Sequence, residues 1–246
     1  MTWAPAVVTA VRQETPRART LVLDVTDWPG HIAGQHVDVR LTAEDGYTAV
    51  RSYSIASSAF SGRLEITVDK LNDGEVSPYL VDTVVPGDRV EIRGPAGGWF
   101  VWKPNPGSPD RPVQLIGGGS GIVPLMAMIR SHGDGSSTVP FRLLYSVRSP
   151  ELALYRDELV QRNADDAALE ISWAYSRATP HDWPRSPARL DEAAVARSVF
   201  APSVGAAVFV CGSTPFVESV ANWLVDAGHP AEDIKTERYG GTGVST

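Results

Sequence analysis

Arg51, Ser52, Tyr53 and Ser54 bring a fixed cation, an aromatic ring and two hydroxyls together, in a run that continues Ile55-Ala56-Ser57-Ser58. In an extended chain Arg51 and Tyr53 share one face, and Ser52 and Ser54 share the other. Such a patch can pair a phosphate, stack on a flat ring and donate a hydrogen bond to that ring's heteroatom. The same residues would also suit an ordinary barrel strand with a surface arginine and a half-buried tyrosine. Further on, Asn72-Asp73-Gly74-Glu75-Val76-Ser77-Pro78 places a tight turn at Gly74, Ser77 as the N-cap of a short helix and Pro78 at its first position. Free N–H groups at a helix start attract anions, so a phosphate could dock there beside Arg51. A capped helix that only closes a barrel would look the same.

The second half carries a different chemistry. Gly117-Gly118-Gly119-Ser120-Gly121-Ile122-Val123-Pro124 lies between an apolar strand pattern, Val113 to Ile116, and the apolar-faced segment Leu125 to Ser131. Strand, glycine loop and helix form the context of a dinucleotide-phosphate loop, with Gly118, Gly119 and Gly121 permitting close backbone approach. Pro124 replaces the last glycine of the usual G-x-G-x-x-G pattern. The next strand ends Tyr145-Ser146-Val147-Arg148, with no acid before Glu151; the third ends Tyr175-Ser176-Arg177, and Arg189 follows. NAD sites usually present an acid to the ribose 2′-hydroxyl, whereas hydroxyls with guanidiniums suit the extra phosphate of NADP. Arg148, Ser176, Arg177 and Arg189 are therefore the candidate phosphate ligands, and NADPH is expected over NADH. Cys211-Gly212-Ser213-Thr214-Pro215 closes a fourth strand at the edge where open α/β sheets bind ligands. Taken alone, Cys211 reads as a small buried apolar residue with no activating base beside it. Glu237 and Tyr239 share one face of the last strand, before a glycine-rich tail.

These residues need two kinds of scaffold. Residues 3–26 read as two strands, Gly34 to Leu41 alternates cleanly, and strands follow around Arg51–Ser54, over Arg63 to Asp69 and within Val84 to Arg93. Short strands separated by Gly and Pro turns predict a closed antiparallel β-barrel. Lys103 to Pro112 holds four prolines, which suits a stiff linker. Beyond it, strands at 113–116, 141–147, 169–176, 206–210 and 233–239 alternate with helices at 125–131, 151–162, 191–200 and 215–227. That order predicts a parallel sheet covered on both faces. The expected division is a barrel domain over 1–104 and an α/β nucleotide-binding domain over 111–246.

Composition narrows the function. A net charge of -7 and a pI near 5.2 argue against a nucleic-acid binder. One cysteine among 246 residues excludes an intrachain disulfide and an all-cysteine iron–sulfur cluster within them. With no signal-peptide pattern and no apolar run of membrane-spanning length, a cytoplasmic protein without a membrane partner is expected.

The Arg51–Ser58 stretch closely resembles the flavin-binding strand of the ferredoxin–NADP reductase family. The GGxGIxP loop and the Cys211–Pro215 turn resemble that family's later motifs, in the same order, so the likeness spans nearly the whole chain. It implies a flavin-binding barrel followed by a pyridine-nucleotide domain. Arg51 would bind the FAD pyrophosphate with the Gly74–Ser77 turn, Tyr53 would stack on or line the isoalloxazine, and Ser54 would hydrogen-bond toward N5. Ser52, Val68 and Val76 complete the implied FAD contacts. Cys211 would sit beside the nicotinamide, positioning it sterically and electrostatically. Tyr239 would cover the flavin with Glu237 nearby as a proton or partner contact, or the glycine-rich tail would instead touch the adenine end of FAD. The implied activity passes a hydride from NADPH to FAD and then single electrons to a separate acceptor protein, a ferredoxin or an oxidoreductase or oxygenase component. Related oxygenase reductases append a ferredoxin domain, which the cysteine count does not allow within these residues. The alternatives are a flavin or quinone reductase with a small-molecule acceptor, and a non-catalytic redox or electron-transfer subunit of a larger complex.

Overall fold

A computed structural model describes residues 2–104 and 111–239. Contacts divide them into two units, one comprising 2–104 with Val123–Ser137, the other 111–122 with 138–239. The middle of the proline-rich linker and the tail after Tyr239 lie outside the described residues.

The first unit is a six-stranded antiparallel sheet of β1 (Ala4–Thr15), β2 (Ala18–Val25), β3 (His36–Thr42), β4 (Thr48–Ser54), β5 (Leu64–Asp69) and β6 (Arg89–Ala96), in the order β4-β3-β6-β1-β2-β5. A bridge from Ile55 to Ile66 joins the chain just beyond β4 to β5, so the two outer strands meet and the sheet closes as a barrel. Strand alternation decides what faces inward: Leu21, Leu23, Val37, Val39, Ile66 and Val68 are buried in one core. A π-helical turn, Tyr79–Thr83, adds Leu80 and Val81 to that core.

The expected N-cap at Ser77 is not formed. Pro78 occupies the cap position with helical dihedrals and no side-chain cap bond, while the Ser77 hydroxyl accepts the Leu71 N–H at 3.0 Å. The hydroxyl closes the Leu71–Ser77 loop on itself, a local competition typical of serine. Helix α1 (Ile122–Asp134) is buried along its apolar length, and its residues from Val123 onward group with the barrel.

The second unit is a parallel sheet of β7 (Val113–Gly118), β8 (Phe141–Val147), β9 (Leu169–Tyr175), β10 (Ala207–Ser213) and β11 (Ile234–Tyr239), in the order β11-β10-β7-β8-β9. The chain builds outward from β7 to β9, then returns to the other side of β7. The order thus reverses between β7 and β10, and the carboxyl ends of those two strands form the topological switch point. Helices α2 (Arg156–Asp165), α3 (Glu192–Ser198) and α4 (Thr214–Asp226) complete the unit. α2 starts later than its sequence pattern implies, because Pro150–Leu152 forms a separate 3-10 turn and Tyr155 adopts a left-handed φ of 56°. α3 is shorter than expected; Asp191 caps it by accepting the Ala194 N–H at 2.7 Å. No described helix is long and apolar enough to cross a membrane.

Candidate functional site

Two sites emerge, one in each unit. In the barrel, β4 pairs with β3 so that Ser54 faces His36, Tyr53 faces Val37, Ser52 faces Asp38 and Arg51 faces Val39. The Arg51 guanidinium reaches across to the Glu75 carboxylate at 2.9 Å, in a pair whose side chains are about half exposed at 52% and 51%. Tyr47 donates its hydroxyl to the other Glu75 oxygen at 3.0 Å. On the opposite side of the strand, Ser52 donates to Asp38 at 2.6 Å, and Asp38 is held below the usual carboxylate range by the Ser52 and Arg93 hydrogen bonds, which outweigh its desolvation. Tyr53 packs against the barrel core, and burial raises its phenol pKa, so it stays neutral.

This arrangement fits a phosphate-bearing cofactor in its donor set. Arg51 already holds an anion from the Gly74–Ser77 loop, and a side chain at position 74 would force that loop to shift, since a Cβ there would stand 2.9 Å from Ser77 Oγ. Val68 and Val76 are fully buried in the barrel core, so contact with a cofactor would be through their backbone atoms.

In the second unit the glycine loop lies at the switch point, but its glycines do different jobs. A Cβ on Gly121 would run into the Cys211 carbonyl, and one on Gly118 would lie 2.8 Å from the Phe216 ring. These two are glycine because protein packs against them. Gly119, with φ +56°, has the Tyr239 hydroxyl 3.2 Å from its would-be Cβ. Sequence reasoning assigned all three to pyrophosphate approach; in the structure two of them also let β7, β10 and α4 close together.

Around that loop stand Cys211, Glu237 and Tyr239. Cys211 and Glu237 are register partners on adjacent parallel strands. Tyr239, 38% exposed at the end of β11, donates its hydroxyl to the Gly118 carbonyl. Burial raises the Cys211 thiol well above its ordinary value, with the Glu237 charge adding to the effect, so the thiol is protonated and a poor nucleophile. Burial also pushes the Glu237 carboxyl from 4.5 up to about 7, and its Oε2 has no hydrogen-bond partner among the described residues. An acid that titrates near neutrality at a ligand-binding edge can take up or release a proton there.

The ends of β8 and β9 carry the candidate phosphate ligands. Arg177 N donates to Arg148 O at 2.8 Å, Ser176 N to Val147 O at 3.0 Å, and Ala188 N to Tyr175 O at 3.0 Å. The backbone thereby gathers Arg148, Ser176, Arg177 and Arg189 at one end of the sheet. All three arginines are exposed, and none has an ion-pair partner among the described residues.

Sequence reasoning missed the partners. Glu75 stood in the quoted loop, and its charge opposite Arg51 was a usable signal. Asp38 and Tyr47 had none, since Asp38 comes in only through the β3–β4 pairing and Tyr47 only through its contact with Glu75 after β5. The Phe216 contact and the buried Arg130 of α1 were equally invisible before the elements were packed.

The oxidoreductase FAD-binding domain model matches residues 8–101, and the oxidoreductase NAD-binding domain model matches residues 115–222. The chain is 28% identical over 247 aligned residues to the ferredoxin reductase component of 3-ketosteroid-9-alpha-monooxygenase from Mycobacterium tuberculosis, covering 94% of this chain and 64% of that protein. It therefore spans less than two thirds of that relative's length. The structure superimposes on the ferredoxin reductase in carbazole 1,9a-dioxygenase with a TM-score of 0.79 at 25% identity, covering 97% of this chain and 70% of the other. It matches the flavohem-like FAD/NAD binding domain of nitric oxide dioxygenase from Vibrio cholerae with a TM-score of 0.84, at 23% identity over 97% and 99% of the two chains. With an FAD-binding barrel and an NAD-binding α/β unit matched in sequence and in fold, this chain belongs to the ferredoxin–NADP reductase superfamily of oxidoreductases.

Proposed function

We propose that this chain is an NADPH-dependent flavoprotein reductase that delivers electrons to a separate acceptor protein. The observation that carries the nucleotide choice is the gathering of Arg148, Arg177 and Arg189, without ion-pair partners among the described residues, at strand ends whose own residues include no acid; Glu151, which acts on the Tyr175 phenol, is engaged by Ser149. A site for the unmodified ribose usually offers a carboxylate from the strand end itself. Ser176 adds a neutral donor to the same cluster.

Arg51 and the Gly74–Ser77 loop hold the FAD pyrophosphate, Tyr53 lines the ring, and Ser54 orients toward its N5. Bound FAD supplies the exchange between two-electron and one-electron chemistry. Cys211, small and neutral, limits how the nicotinamide lies at the switch point, and Tyr239 fixes the glycine loop through Gly118. Glu237 holds or releases a proton at its unpartnered oxygen. The acceptor is a ferredoxin or an oxygenase component, a choice supported by the reductase components among the relatives. Stopped-flow reduction of the FAD-loaded protein tests the nucleotide reading: NADPH should reduce it faster than NADH at equal concentration, and equal rates overturn it. Reoxidation by ferredoxin against free FMN tests the acceptor, and faster electron loss to FMN refutes a protein partner.

A further inference from the structure

The stretch after Ser54, Ile55-Ala56-Ser57-Ser58, belongs to the motif that singled out β4, yet the flavin assignment leaves it without a role. It is irregular and entirely buried: Ile55 and Ala56 are at 0%, Ser57 at 3% and Ser58 at 2% exposure. Buried irregular backbone requires partners for its polar groups. Ile55 N donates to Gln35 O at 2.9 Å, Ala56 N to Glu65 O at 2.7 Å, and Glu65 N to Ser57 Oγ at 3.1 Å. The Ser57 carbonyl meets His31 Nε2 at 3.0 Å and the Ser58 carbonyl accepts from Ser61, while the Ala56 carbonyl and the following Ala59 N–H are met by two consecutive residues of α1. Arg130, 7% exposed, donates Nη1 to the Ala56 carbonyl at 2.9 Å and meets Glu65 Oε2 at 3.2 Å. Ser131 accepts the Ala59 N–H at 2.9 Å.

We infer that Arg130 is a positioning residue for the flavin-facing end of β4: it fixes the backbone two residues beyond Ser54 and thereby sets where the Ser54 hydroxyl points. The inference rests on the reading of Ser54 as a flavin contact. Its physical basis is the pairing of one buried guanidinium with two acceptors, of which the Ala56 carbonyl has no other charged donor among the described hydrogen bonds. A guanidinium fork can hold a carbonyl and a carboxylate at once, while a single ammonium holds them less rigidly. Glu65 is also approached by Arg12 at 3.4 Å, so its charge keeps one partner if Arg130 is lost. The Ala56 carbonyl, by contrast, has no charged donor except Arg130 among the described hydrogen bonds. Replacing Arg130 should therefore loosen the strand end more than it unfolds the barrel.

The test uses the full-length, FAD-loaded protein with Arg130→Met, Arg130→Lys and Ser54→Ala. Arg130→Met should slow flavin reduction by NADPH about tenfold, raise the dissociation constant for FAD and shift the visible flavin band. NADPH binding should change less than about twofold, and Arg130→Lys should fall between. A lower melting temperature with an unchanged flavin band and reduction rate assigns Arg130 a purely structural role and overturns the inference. If Arg130→Met does not fold, Ser131→Ala, which removes only the Ala59 contact, must shift the same band in the same direction, and an unshifted band there also refutes the role. Ser54→Ala separates the two readings. No change in that variant rejects the Ser54 assignment itself, whereas a change there without one in Arg130→Met rejects only Arg130.

Discussion

The two sites handle charge in opposite ways. In the barrel the charge of Arg51 and the hydroxyl of Ser52 both have partners: Glu75 on one side, Asp38 and through it Arg93 on the other. At the parallel sheet, Glu237 has a buried oxygen without a partner, and Arg148, Arg177 and Arg189 stand without counter-ions among the described residues. A cofactor phosphate arriving at Arg51 must compete with a carboxylate, whereas a phosphate arriving at β8 and β9 meets arginines with no ion-pair partner among the described residues. The first arrangement suits a ligand held through many contacts, the second one that comes and goes at each turnover. The contrast predicts that removing an unpaired buried group changes more than removing one member of an exposed pair.

Glu237 should show the largest effect. Below pH 4.5 its carboxyl is protonated whether the chain is folded or not. As pH rises from 4.5 to about 7, the unfolded chain releases the proton while the folded one keeps it, so the native state loses stability across that window. A rise from 4.5 to about 7 corresponds to roughly 3 kcal/mol. Glu237→Gln should flatten the stability profile between those pH values, measured by urea unfolding; a wild-type profile already flat there would show that burial does not hold the proton.

Arg51→Ala should come next. Hydrogen bonds to charged groups contribute about 1.5–3 kcal/mol, so FAD affinity should fall about 10- to 100-fold, read by flavin fluorescence on dilution. Unchanged flavin content would remove Arg51 from the phosphate site. Arg177→Ala follows with a smaller change, narrowing the preference for NADPH over NADH by about tenfold in kcat/KM, because Arg148 and Arg189 remain beside it. An unaltered ratio would mean that the uncompensated arginines are only a solvated face.

How much of this was legible in the sequence follows from the range of the forces involved. Strand alternation at Leu21–Leu23 and Val37–Val39 is local, and the barrel core appears where that pattern places it. The strand–glycine loop–helix order around Gly118–Gly121 is equally local, and so is the change of rhythm after the prolines. What the sequence could not show depends on pairing across the fold. Gly121 reads as a phosphate glycine, and only the pairing of β10 shows that the Cys211 carbonyl also packs against it. Ser77 looks like a cap until Leu71 offers its N–H first. Helix α1 reads as part of the nucleotide half, yet Arg130 and Ser131 hold the segment after β4. Glu237 entered as a proton or partner contact only through the family resemblance; its burial beside Cys211, which makes it titrate near neutrality, appears only once β10 and β11 pair.

The smallest predicted effect bears most directly on the contrast. Glu75→Gln removes the carboxylate that occupies Arg51 and keeps the side chain's size, and Tyr47 can still donate to the amide oxygen. Exposed ion pairs contribute about 0–1 kcal/mol, so releasing Arg51 should tighten FAD binding by about threefold and cost the apoprotein little stability. Because the competing charge is exposed, the gain should shrink as salt is raised from about 0.01 M to 0.15 M and the screening length falls from about 30 Å to 8 Å. Weaker binding in Glu75→Gln would show that the carboxylate orients Arg51 for the phosphate instead of competing with it, and the two sites would then differ only in exposure. Tighter binding that salt erodes would leave Glu75 as the one group in the barrel site that works against its ligand, a brake on flavin affinity for which the arginines at β8 and β9 have no counterpart among the described residues.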